Sequence, residues 1–287
     1  VAAGTTLFSI TIGGVPYKFT KNEAFTYVSG KMMNFGIKVD KQTGSGAYKL
    51  TLVSESITPW ENDLVSHDAT TKEYVVINST KGHLKEAIAA ANKDYTKIKN
   101  LKITGEISAQ DFYFMRDSME NLAALNLKEV IIRGGEQRLT GGAQGVYPHN
   151  DYEIPYEALR GKKSLNLLVL PDKLTKIGIA AFADDQNITG SLIIPEGVTE
   201  IEVGAFYDCR SMNGTLSLPS TLKYLGRGID LWWYGGVFTY CGFTSELILP
   251  NNLECIAGNN TFAGCEGLHG ELRFPEKLTE ISDGAFN

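Results

Sequence analysis

The sequence predicts a mainly β molecule with a few helices: a solenoid of stacked coils about 24 residues long, preceded by a small β-sandwich-like domain. Three observations carry this. Five prolines each close an apolar triplet, at separations of 24, 24, 31 and 25 residues. A phenylalanine follows each proline, at Phe182, Phe206, Phe238, Phe262 and Phe286. The first 66 residues instead hold short β-rich runs, alternating in places, with no such period.

Each coil opens on a strand. The triplets are Leu168-Val169-Leu170-Pro171, Leu192-Ile193-Ile194-Pro195, Leu216-Ser217-Leu218-Pro219, Leu247-Ile248-Leu249-Pro250 and Leu272-Arg273-Phe274-Pro275. Their first and third residues, two apart, face one side of a strand. Proline ends that strand because it has no N–H for the ladder. A second apolar pair follows: Leu174 and Ile177, Val198 and Ile201, Leu222 and Leu225, Leu253 and Ile256, Leu278 and Ile281. It starts the stretch that returns across the coil. A small or β-branched residue then precedes each phenylalanine, at Ala181, Ala205, Val237, Thr261 and Ala285. It lets the backbone pass close to the next coil while the ring fills the interior. One such coil cannot bury its apolar face alone, so the coils must fold as an array.

Upstream the repeat degenerates. Tyr156-Glu157-Ala158-Leu159 repeats the small-plus-bulky step, Glu129-Val130-Ile131-Ile132 would be the strand of that coil, and Leu101-Lys102-Ile103-Thr104-Gly105 would be the first strand. Leu84, Ala87, Ile88 and Ala91 fall on one face of an amphipathic helix over about residues 82–92. A second helix is predicted over Ala109 to Met119, with Ser108 as its N-cap. Helices laid on the open end of a solenoid hide its unpaired edges. In the first domain, residues 1–70, strands are predicted at Leu7–Ile12, Tyr17–Thr20, Met32–Val39 and Tyr48–Val53. The polar run His67 to Lys72 then leads into the repeat domain, residues 71–287.

The chemistry-bearing residues exclude more than they suggest. Lys plus Arg is 27 against 33 Asp plus Glu, a net charge of −6, which argues against nucleic acid as a partner. No apolar run approaches the ~18 residues of a membrane helix. Three residues beyond the phenylalanines stand Asp185, Cys209, Cys241 and Cys265, a column expected to hold buried free thiols. Cys255 stands where other coils carry Lys176, Glu200, Tyr224 and Glu280, and is expected to be exposed. None of the four histidines has a Ser or Cys partner in a nucleophile motif. No paired carboxylates can be set in a cleft. Neither a cofactor nor a metal is expected, and the chain reads as non-enzymatic.

Recognition is the remaining possibility. The insertion Gly228 to Gly236 carries Trp232, Trp233 and Tyr234 in a row. Exposed, they would anchor an interface or stack on sugar rings; folded back, they would lid the core. The long loop from Arg133 to Ile154 carries Tyr147 and Tyr152. A third candidate is the outward face of the triplets, Val169, Ile193, Ser217, Ile248 and Arg273 beside Leu167, Ser191, Thr215, Glu246 and Glu271.

The repeat Leu-x-Leu-Pro, Leu-x-x-Ile and Ala-Phe-x-x-Cys resembles the BspA-like leucine-rich repeat family over residues 74–287. Members are surface proteins of host-associated bacteria. The runs Phe25 to Lys31, Gly36-Ile37-Lys38-Val39 and Ile57-Thr58-Pro59-Trp60 are similar to the C-terminal part of fimbrillin-like domains. Together these resemblances imply an extracellular protein at the bacterial cell surface, lipid-anchored to the outer membrane from a point upstream of this chain. They imply a monomeric, adhesin-like binder of a protein or glycan, or else a structural or tip subunit of a surface fibre.

Overall fold

The computed structural model describes residues 74–135, 148–228 and 235–287 in full and, ahead of them, the backbone of four strands. The chain divides into two compact units, Val1–Asp63 and Leu64–Asn287. In the first, β1 (Thr6–Ile12) pairs antiparallel with β2 (Val15–Thr20), and β3 (Lys31–Lys41) with β4 (Tyr48–Pro59). The register of β3 and β4 shifts between Gly36 and Ile37, where a glycine accommodates a bulge.

The second unit opens with β5 (Val75–Ser79), a β-branched strand ahead of the expected first one. Next come α1 (Leu84–Ala90), β6 (Asn100–Ile107) and α2 (Ala109–Ser118). The first helix is shorter than residues 82–92, because Gly82 and Asn92, at φ +77° and +53°, bend the chain on either side of it. Ser108 and Asp111 form a capping box on α2. The same Asp111 carboxylate accepts the N–H groups of Gly82 (2.8 Å) and Leu84 (2.9 Å), so one buried side chain satisfies donors at the start of both helices.

Strands β5, β6, β7 (Ala124–Asn126) and β10 (Leu167–Val169) make one parallel sheet, with β8 (Val130–Ile132) pairing the far half of β6. The coil strand here is therefore β7, not Glu129 to Ile132. Leu125 and Leu127 supply the inward pair that the triplets supply elsewhere, and both are fully buried. This row continues as β12 (Leu192–Ile193) beside β14 (Leu216–Ser217). On the returning stretch, β9 (Glu153–Ile154), β11 (Lys176–Ile177), β13 (Glu200–Glu202), β15 (Tyr224–Arg227), β16 (Cys255–Ile256) and β17 (Glu280–Ile281) form one six-stranded parallel sheet. Its register sets Ile154, Ile177, Ile201, Leu225, Ile256 and Ile281 one behind the next.

A third row runs along the phenylalanines. Phe182, Phe206, Phe238, Phe262 and Phe286 stack with centroids 5.2, 5.7, 5.5 and 5.4 Å apart and planes within 25°. Each phenylalanine N–H donates to the carbonyl just before the next phenylalanine, from Phe182 to Ala205 (2.8 Å) through Phe262 to Ala285 (2.7 Å). Residues two after a ring also donate forward, as Asp184 does to Tyr207, Asp208 to Thr239 and Tyr240 to Ala263, and so do Ala180 and Asn260, two before one, to Val203 and Asp283. Those between bond back within their own coil, as Ala181 does to Gly178. Left-handed residues at these flanking positions make this possible: Ala180, Gly204, Asn260 and Gly284 before, and Asp184, Asp208, Tyr240 and Gly264 after. In an ordinary strand, successive peptide dipoles oppose one another. Here the peptides that cross between coils all point the same way.

Removing a ring from the middle of this stack leaves a cavity walled by its two neighbours. Phe206→Ala should lower the unfolding free energy by about 3–5 kcal/mol in urea titration. Phe286→Ala should cost less than half of that, since Phe286 is 38% exposed.

Candidate functional site

The first row builds one face of the repeat unit, in a five-stranded sheet and a separate two-stranded one. Its inward residues, Ile77, Leu101, Ile103, Leu125, Leu192, Ile194 and Leu216 among them, are buried. Its outward residues stand in register: Val76 opposite Lys102, Lys102 opposite Asn126, Asn126 opposite Val169, and further on Ile193 opposite Ser217. Ile248 and Arg273 follow at the same repeat position. Ile248 is 69% exposed and Val76 60%, while Leu167, Val169 and Ile193 are half-buried. The face is thus aliphatic in its middle, edged by hydroxyls at Ser191, Thr215 and Ser217. Towards its two ends stand cations already in ion pairs: Lys102 with Glu129 (2.6 Å) and Arg273 with Glu271 (2.7 Å).

Trp232, Trp233, Tyr234 and Tyr147 lie outside the described residues. Beside the insertion, a Cβ added at Gly236 would sit 2.2 Å from Thr261 Cα, so the next coil passes where only glycine fits. Tyr152 is half-buried at φ +66°. Its N–H donates to Ile132 O (2.8 Å), and its carbonyl accepts the N–H of Thr175 (2.9 Å). This residue turns the chain into β9.

The column thiols are buried and free. Cys209, Cys241 and Cys265 each donate to the carbonyl of the phenylalanine one coil back, Phe182 (3.1 Å), Phe206 (3.2 Å) and Phe238 (3.0 Å). Burial pushes the Cys265 thiol up to about 12. Cys255 corrects its expectation: it is 2% exposed. A short side chain in this row is overlain by longer neighbours. Arg227 lies over the Tyr224 ring at 3.5 Å and bonds the thiol, which donates to Glu280 Oε2 (3.1 Å). Burial, and then the Glu280 carboxylate, push Cys255 up to about 11. Among the described residues, no three His, Cys, Asp or Glu side chains converge on a point that could hold a metal.

Asp185 takes the column position in its coil, as the spacing after Phe182 predicts. It is fully buried. One carboxyl oxygen accepts the Lys162 N–H; the other has no hydrogen-bond partner. Burial holds its pKa well above the usual carboxylate range, opposed by the Lys162 N–H and ammonium and reinforced by Asp184. The Lys162 ammonium itself is taken up by the carbonyls of Met119 (2.6 Å) and Arg116 (3.2 Å) at the end of α2.

Two outcomes follow. None of the four thiols should react with Ellman's reagent in the folded chain, and all should after denaturation. An acid whose folded pKa is raised binds its proton more tightly when folded, so it contributes stability that is lost as pH rises from the unfolded value towards the folded one. Asp185→Asn should therefore raise the melting temperature more at pH 8 than at pH 5.

Residues 152–229 and 234–287 match the family model described as BspA type leucine rich repeat region, in 6 copies. No curated protein matches the chain. Among solved structures it is similar to a leucine-rich repeat protein from Bacteroides ovatus, at 20% identity and a TM-score of 0.39. That likeness covers 84% of this chain and 52% of the other, so the chain spans about half the length of that protein. With the stacked coils and the matched repeats, the second unit is a leucine-rich-repeat solenoid.

Proposed function

We propose that this chain is a non-enzymatic binding protein of the bacterial cell surface, adhesin-like, which captures a protein or glycan partner on its repeat solenoid. The observation that carries this reading is the outward row from Val76 to Arg273. It is registered from Val76 to Val169 and again from Ile193 to Ser217, continues at the same repeat position to Ile248 and Arg273, and is backed by buried residues such as Leu101, Leu125 and Leu192. A flat, moderately wet face of this kind buries area without needing a pocket. Two further facts support it. The matched repeat family is typical of bacterial surface proteins and typically lacks catalysis. The buried thiols and carboxyl are engaged with, or enclosed by, the protein itself.

The test is an array of host and bacterial proteins and glycans probed with the purified chain, then repeated with two variants. Ile248→Glu places a charge on the most exposed aliphatic residue of the row and should weaken capture about tenfold or more at an unchanged melting temperature. Replacing Trp232, Trp233 and Tyr234 together by alanine probes the insertion. Capture that survives in both variants removes both surfaces.

A further inference from the structure

The column that follows the rings changes character at its early end. Three residues beyond Phe238, Phe206, Phe182 and Leu159 stand Cys241, Cys209, Asp185 and Lys162. A buried aspartate and a buried lysine thus stand where the later coils carry thiols. Each side chain of the column meets two backbone groups of the coil before it: the N–H of the previous column residue and the carbonyl of the previous ring residue. Cys209 takes the N–H of Asp185 and donates to Phe182 O (3.1 Å). Cys265 takes the N–H of Cys241 and donates to Phe238 O (3.0 Å).

Asp185 keeps the first half of this pattern, since its Oδ1 accepts the Lys162 N–H. The second half points to the carbonyl of Leu159, which accepts one bond, from the Lys162 N–H (3.0 Å), and has a lone pair left. Asp185 Oδ2 is enclosed and has no partner as a carboxylate oxygen. A carboxylate can only accept, whereas a protonated carboxyl donates one bond, as a thiol does. The Lys162 side chain leaves the column instead. It is 5% exposed, and its ammonium is shared by Met119 O (2.6 Å) and Arg116 O (3.2 Å), carbonyls that close α2. The other charged groups acting on this pair are Asp184 beside Asp185, and Asp117 and Glu120 beside Lys162, with the Cys209 thiol next in the column.

We propose that Asp185 is a proton-operated latch between the second helix and the coils. As the neutral acid it donates its O–H to the Leu159 carbonyl, completes the column, and leaves the Lys162 ammonium to the end of α2. When the proton is lost to solvent, carboxylate and carbonyl face each other with lone pairs only, and the carboxylate competes with α2 for the one buried cation. The last turn of α2 then loses its cap. Burial favours the acid form of Asp185, so the latch is closed at low pH and opens as pH rises.

The experiment compares the full chain with Asp185→Asn, Asp185→Cys and Lys162→Met. Infrared difference spectra against Asp185→Asn should show, at pH 5, the C=O stretch of a protonated acid, which fades by pH 9. Amide hydrogen exchange, corrected for its intrinsic pH dependence, should show protection at Met115 to Met119 falling about tenfold or more between pH 5 and pH 9. That fall should vanish in Asp185→Asn and Asp185→Cys, which keep a neutral donor in the column. It should vanish also in Lys162→Met, which keeps the acid band. Both neutral replacements should melt at least as high as the parent at pH 9. An ionised Asp185 at pH 5, a fall in protection that persists in Asp185→Asn or Lys162→Met, no fall in the parent, or both neutral replacements melting below the parent at pH 9 overturns the proposal.

Discussion

The repeat unit depends on a close approach between backbones. A phenylalanine N–H can reach the carbonyl before the next phenylalanine, at 2.7 to 2.9 Å, only if the residue carrying that carbonyl is narrow. Ala205, Val237, Thr261 and Ala285 meet the condition. The approach then brings the rings into a stack, and the stack fills the space the narrow residues leave. The thiols of Cys209, Cys241 and Cys265 complete it by occupying the second lone pair of the Phe182, Phe206 and Phe238 carbonyls. Where Asp185 replaces a thiol, the column keeps its shape and holds a buried carboxyl instead.

Much of this was legible because it is periodic. Leu192 and Ile194, or Leu216 and Leu218, mark a strand face through their spacing alone, and the column of rings follows from the recurrence of Phe after each proline; Leu247 to Leu249 and Leu272 to Phe274 share the spacing but form no strand, which corrects the expectation that every coil opens on one. What escaped was whatever breaks the period or depends on a neighbour. The strand Val75–Ser79 precedes any repeat, and only its β-branched run could have signalled it. Cys255 looked exposed because longer side chains at its position are partly so; its burial comes from Arg227 and Glu280 in adjacent coils, which no single coil reveals. The left-handed residues beside the rings were readable where they are Gly204, Asn260 or Gly264, but Ala180 and Tyr240 carry no such signal. The contact of Arg160 with Asp184 escaped for the same reason: the two lie 24 positions apart and meet only on stacking.

The strand face illustrates what a stacked array permits. Its outward residues recur along the chain between buried ones, and the core separates this face from the corners beside the rings. A side chain can change at Ile248 without touching Tyr240. The face can therefore be shaped for a partner while the buried residues stay constant.

The shared direction of the crossing peptides gives the phenylalanine row a polarity. There amide hydrogens look towards the later coils and carbonyl oxygens towards the earlier ones, whereas in the six-stranded sheet Thr199 donates back to Thr175 and Lys223 back to Thr199. At the early end Tyr113 donates its hydroxyl to Tyr156 O (2.5 Å), and Arg116 and Lys162 bring positive charge beside it. The row thus carries a net dipole along the stacking direction, positive towards the later coils, and the two cations beside Tyr156 and Glu157 stand against its negative pole.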